Sequence, residues 1–91
     1  MKAAVTIKEA TAHFAANRET IPVHRMPRGD YAFEVAPENH LYLVVEAKGS
    51  GIFLARLGPK LMKLRPLSEE EQQAARAFAQ KRLEEAGLLQ N

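Results

Sequence analysis

Polar and apolar residues change their rhythm twice along this chain. From Thr6 to Asn17 the apolar positions Ile7, Ala10 and Phe14 fall on one face at helical spacing. Thr6-Ile7-Lys8-Glu9 has the pattern of a capping box, in which the Thr hydroxyl accepts from the backbone three residues on and Glu9 reaches back to the cap. A helix over 6–17 is predicted, with Asn17 suited to the left-handed turn past its end. Its apolar face is small, so it needs a surface to dock on.

From residue 22 to 66 the rhythm is two. Tyr31, Phe33 and Val35 alternate with Ala32 and Glu34; Leu41, Leu43 and Val45 with Tyr42, Val44 and Glu46; Phe53, Ala55 and Leu57 with Ile52, Leu54 and Arg56. Alternation rich in aromatic and β-branched residues is the strand signature. Nine of the ten Gly and Pro residues fall in this region, and they supply the turns. Pro27-Arg28-Gly29-Asp30 suits a type I turn, while Pro37-Glu38-Asn39 and Lys48-Gly49-Ser50-Gly51 suit tight hairpins. Short Pro-flanked edge strands are expected at 23–26 and 60–64. The expectation is an antiparallel meander of three to five strands, open or curled into a small barrel.

Helical spacing returns at 68–87. Ser68-Glu69-Glu70-Glu71 is a second capping box, and its three carboxylates complement the positive end of the helix dipole. Ala75, Phe78, Ala79, Arg82 and Leu83 trace the apolar stripe, with Ala74 and Ala86 alongside, and Gly87 is placed to end the helix. The fold class is therefore α+β, a single domain over 1–91: N-terminal helix, antiparallel meander, longer C-terminal helix. The central hairpin is apolar on both faces, because Tyr42, Val44, Ile52 and Leu54 lie opposite Leu43 and Phe53. A sheet with one wet face alternates more cleanly. Both faces then call for cover, by helices on opposite sides, by barrel closure, or by a second copy of the chain. In the last case Val44, Ile52 and Leu54 form the dimer face.

Composition narrows the chemistry. With 91 residues, 46% apolar and 26% charged, the chain has the make-up of one ordinary globular domain. The absence of cysteine excludes disulfides, thiolate metal sites and Cys nucleophiles. No apolar run approaches a membrane span or the core of a signal peptide, so a cytoplasmic protein with no membrane partner is expected. His13, His24 and His40 show no metal-ligand spacing and read as three unrelated surface residues, so no metal and no cofactor are expected. Ser50 and Ser68 read as turn and cap residues, without the strand–elbow–helix context of an acyl-transfer nucleophile. A Glu34/Glu46 acid–base pair would require the two carboxylates to be cross-strand neighbours. No catalytic residue is assigned and no enzyme is expected.

The net charge of +2 conceals an imbalance. Residues 1–66 carry ten basic and six acidic side chains, and residues 67–91 carry three and five. The densest basic segment is Arg56, Lys60, Lys63 and Arg65, and Arg25 and Arg28 sit around the first turn. These six are the candidate partner-binding surface, with Tyr42 as a candidate stacking platform. The leading reading is a small regulatory or inhibitor-like binding protein that occupies a protein partner, as plasmid- and phage-encoded regulators of this size do. The alternative is a nucleic-acid-binding β domain that uses the basic segment 56–65.

Overall fold

A computed structural model describes residues 5–26, 28–46, 50–58 and 63–88. The elements run α1 (Ile7–Ala16), β1 (Val23–Arg25), β2 (Tyr31–Ala36), a 3-10 turn (Pro37–Asn39), β3 (Leu41–Val45), β4 (Gly51–Arg56), β5 (Leu64–Pro66) and α2 (Glu69–Glu85). Both capping boxes form. Glu9 N–H donates to Thr6 Oγ1 at 3.1 Å while Glu9 Oε1 accepts from Thr6 N–H at 3.1 Å. Glu71 N–H and Ser68 Oγ meet at 3.3 Å, and Ser68 N–H reaches Glu71 Oε1 at 3.0 Å. Asn17 does not turn left-handed as expected: it takes φ −121°, and its side-chain amide donates to the His13 carbonyl at 2.8 Å. Gly87 is left-handed at φ +73°, and Leu88 N–H returns to the Leu83 carbonyl at 2.9 Å.

All five strands join one open antiparallel sheet in the order β1-β2-β3-β4-β5. It does not close into a barrel. The β5 pairing falls on Leu64–Pro66, later than the expected edge strand, and residues 59–62 lie outside the described residues, as do Pro27 and the tip 47–49 of the β3–β4 hairpin. A bulge between Glu34 and Ala36 shifts the register, so that Val35 and Ala36 are both buried where strict alternation would expose one of them. His40, at φ +55°, closes the β2–β3 turn by donating its N–H to the Pro37 carbonyl at 3.0 Å.

The two helices pack on the same face of this sheet. α1 lies against β3 and β4, α2 lies across β2, and the helices touch each other. Between them and the sheet sits the core of Ala10, Phe14, Phe33, Leu43, Phe53, Ala75, Ala79 and Leu83, all fully buried, with Phe14 meeting the Phe33 ring edge-on at 5.5 Å. Phe78, expected on the buried stripe of α2, stands 37% exposed instead. The stripe that docks is the narrower Ala75, Ala79 and Leu83, two small side chains and one large one, all fully buried.

Gly51, expected as a turn residue, opens β4 beneath α1. A Cβ there would collide with Thr11 Oγ1 and sit 3.2 Å from Leu43 Cδ1. Thr11 is 5% exposed, and its hydroxyl donates to the Ile7 carbonyl at 2.6 Å, so it has little room to yield. Gly51→Ala is expected to cost about 1–3 kcal/mol of stability, the range of overpacked sites. Urea denaturation checks this, and Thr11→Ala in the same chain should recover part of the loss. On α2, Leu83→Ala should cost about 2–5 kcal/mol, as buried Leu truncations do, while Phe78→Ser should change the melting curve far less.

Candidate functional site

Strand alternation sorts the side chains that could meet a partner. The residues of β1–β5 that face away from the helices are His24, then Ala32 and Glu34, then Tyr42 and Val44, then Ile52, Leu54 and Arg56, then Leu64 and Pro66. They form cross-strand rows: His24, Ala32, Val44 and Ile52 in one, Glu34, Tyr42, Leu54 and Pro66 in the next, with Arg56 opposite Leu64 beyond. No helix of the described residues packs on this face.

Its centre is nonetheless shielded. Tyr42 is 3% exposed and Val44 7%. The Tyr42 ring is met edge-on by His24 at 6.3 Å and lies under the Arg56 guanidinium at 5.9 Å. His24 Nε2 in turn holds Glu34 Oε1 at 2.7 Å, and Arg56 Nη2 donates to His40 Nδ1 at 3.1 Å. The candidate stacking residue thus already has partners on its flanks. Two of the three histidines, read from sequence as unrelated, belong to one cluster around it. The exposed apolar part of the face is displaced toward β4 and β5, where Ile52 is 36% exposed, Leu54 and Leu64 are half-buried and Pro66 is exposed.

The six basic residues do not converge. Arg25 ends β1, one edge of the sheet, on the helix side; its guanidinium lies over Tyr31 at 5.8 Å. Arg18, which the sequence reading passed over, lies over the same ring at 5.5 Å. Arg28 is exposed in the turn that follows β1. Arg56 on β4 and Arg65 on β5 occupy the far side of the sheet, three and four inter-strand spacings away, or about 14 and about 19 Å. They are themselves separated by the sheet, because Arg56 pairs with Leu64 and Arg65 with Ala55, on opposite faces. Lys63 is exposed at that end, and Lys60 lies outside the described residues. Nor do Glu34 and Glu46 pair: Glu34 lies opposite Tyr42, four residues along β3 from Glu46, or about 13 Å. Ser50 Oγ bonds Glu46 instead, at 3.0 Å. Among the described residues no group of His, Asp and Glu is arranged to hold a metal ion, and no helix is long and apolar enough to cross a membrane.

Arg65 has a different task. Its fork grips Glu71, with Nη1 at 3.0 Å from Oε1 and Nη2 at 2.6 Å from Oε2, while Oε1 also accepts from Ser68 N–H. One carboxylate therefore ties β5 to the first turn of α2. The Arg65 fork first, and the Ser68 backbone next, bring the Glu71 carboxyl down to about 2. A carboxylate lowered on folding stabilises the fold above its ordinary range, and that contribution is lost as the pH falls through the lowered value. The wild type should accordingly melt above Glu71→Gln near neutral pH. The gap should close between about pH 4.5 and about 2, and thermal melts across that interval check it. No protein-family model matches the chain, and no curated protein or solved structure shows a significant match to it.

Proposed function

We propose that the chain is a small, non-catalytic cytoplasmic binding protein that acts by occupying a protein partner, in the manner of an inhibitor or adaptor. The observation that carries this reading is the one-sided placement of the helices. It leaves Ile52 and Leu54, beside the buried Val44 and continued by Leu64 and Pro66, without a covering layer of the described residues. Apolar surface of this kind, framed by polar side chains, is what protein interfaces are built on.

The stripe also suits a second copy of the chain. Glu34 on β2 and Arg56 on β4 flank β3 from opposite sides. A twofold axis along β3 lays β2 of one copy over β4 of the other, so the acidic side of each meets the basic side of its mate. Val44, Ile52 and Leu54 are then buried across a symmetric interface, and the partner competes with the second copy for them. Binding of nucleic acid by the basic residues draws no comparable support, since the five that are described are divided between the two ends of the strand order, and Arg56 and Arg65 between the two faces of the sheet.

Two measurements test the reading. Sedimentation of the wild type should give a dimer, and Leu54→Lys should give a monomer with an unchanged circular dichroism spectrum. In capture from native lysate, one stoichiometric protein should survive nuclease, be lost with Leu54→Lys and be kept with Arg28→Ala. Nuclease-sensitive capture that weakens steeply with salt and is lost with Arg28→Ala would overturn it in favour of a nucleic-acid ligand.

A further inference from the structure

Arg56 and His40 share a hollow whose chemistry the protein-binding reading does not use. Arg56 ends β4, and its backbone N–H donates to the His40 carbonyl at 2.8 Å, which fixes the two residues side by side. His40 is held in the left-handed conformation that closes the β2–β3 turn. With Leu57 and Gly58 they line an open hollow at the end of the sheet. Among the described residues, a Cβ at Gly58 would meet nothing within 4 Å.

Every polar side-chain group here is a donor or is already spent. An arginine offers five N–H groups and no acceptor, so in the Arg56 Nη2 to His40 Nδ1 contact at 3.1 Å the imidazole must accept. In the neutral ring the proton then sits on Nε2, which becomes a further donor. Arg56 has no carboxylate within ion-pair distance among the described residues, whereas Arg65 is paired with Glu71. Its Nε is shielded from water and has no hydrogen-bond partner among the described residues. Packing against Tyr42 holds the guanidinium in place before any ligand arrives. A fixed, unneutralised fork beside an N–H donor is suited to a terminal oxyanion, because charge-assisted, fork-type hydrogen bonds are the strong ones.

We propose that the hollow bounded by Arg56, His40, Leu57 and Gly58 binds the phosphate monoester of a phosphorylated protein side chain. A terminal phosphate fits better than a nucleic-acid backbone. One fork with one imidazole satisfies a single tetrahedral group, while a strand needs a track of cations; among the described residues Lys63, whose carbonyl accepts from Leu57 N–H at 2.7 Å, adds one further cation at this end, and Arg25 and Arg28 lie across the sheet. The site rests on its own geometry, but in the paired arrangement proposed above the acidic side of a second copy faces Arg56, so a second copy and a phosphate compete for it.

Inorganic phosphate, titrated against chloride at matched ionic strength and followed by NMR, is the first probe. The His40 ring and Arg56 Nε signals should shift saturably while His13, on α1, serves as the internal reference and stays still. Arg56→Gln should weaken binding at least tenfold. Arg56→Lys, which keeps the charge and loses the fork, should weaken it less, and Arg65→Gln should leave it unchanged. A phosphoserine peptide should bind at the same signals and its unphosphorylated form should not. Equal shifts at all three histidines, or binding that survives Arg56→Gln, would overturn the site. An oligonucleotide that displaces phosphate and depends equally on Arg25 and Arg28 would overturn the choice of ligand. Because a second copy would compete for Arg56, the titration is repeated on the Leu54→Lys monomer, where absence of phosphate binding tells against this site alone.

Discussion

An antiparallel sheet has two faces, and this chain supplies helices for one of them. The placement of α1 and α2 follows from how little each can bury. The buried part of α1 is Ala10, Thr11 and Phe14, and that of α2 is Ala75, Ala79 and Leu83. Neither stripe is wide enough to cover a five-stranded sheet. Side by side they cover one face and each other's flanks, with Val5 N–H reaching across to Gln80 Oε1 at 3.1 Å. Gly51 is part of the same solution, since the missing side chain lets Thr11 come down onto β4. Set on opposite faces, two such narrow helices would each leave most of a face wet and would forfeit their mutual contact.

The face left over is handled with long polar side chains in place of a third layer. Tyr42 lies in the middle of the sheet, where a phenol ring has the most apolar area to lose to water. His24 meets its edge, Arg56 lies over it, and each of these is held in turn by Glu34 or His40. Ring–guanidinium stacking shields the aromatic surface while the charged head keeps contact with water. That explains how a face with no helix on it contains residues as buried as Tyr42 and Val44. It also explains why the remaining apolar exposure gathers around Ile52 and Leu54, beyond the reach of this frame.

Much of the architecture was legible in the residues, for reasons that are local. Capping boxes depend on four consecutive residues, and both Thr6–Glu9 and Ser68–Glu71 formed as their spacing indicated. Alternation located the three central strands, and the apolar character of both their faces called for cover on both, without saying which face the helices would take. What could not be read depended on register and on which surface each face would meet. Phe78 satisfies helical spacing as well as Ala79 does, but the docking angle of α2 turned it outward. The cluster of His24, Glu34, Tyr42, Arg56 and His40 draws on four strands and a turn. Its members are up to 32 positions apart in sequence, and only the pairings Glu34 to Tyr42 and Tyr42 to Leu54 place them together. Period two says which face a residue takes, not which neighbour it finds.

The same alternation decides what a run of basic residues means. Arg56 and Arg65 read as one patch while the segment is treated as a string. Folded into β4 and β5, they point to opposite sides of the sheet and meet opposite fates. Arg65, on the helix side, finds a carboxylate at the start of α2 and becomes a structural tie. Arg56, on the open side, finds an aromatic ring and an imidazole, neither of which cancels its charge. A guanidinium held rigidly without a counter-ion keeps its full attraction for an anion and has lost little freedom left to lose on binding one. The excess positive charge of the first 66 residues therefore matters less as a total than at this single position, where the fold fixes the cation and leaves its neutralisation to something outside the described residues.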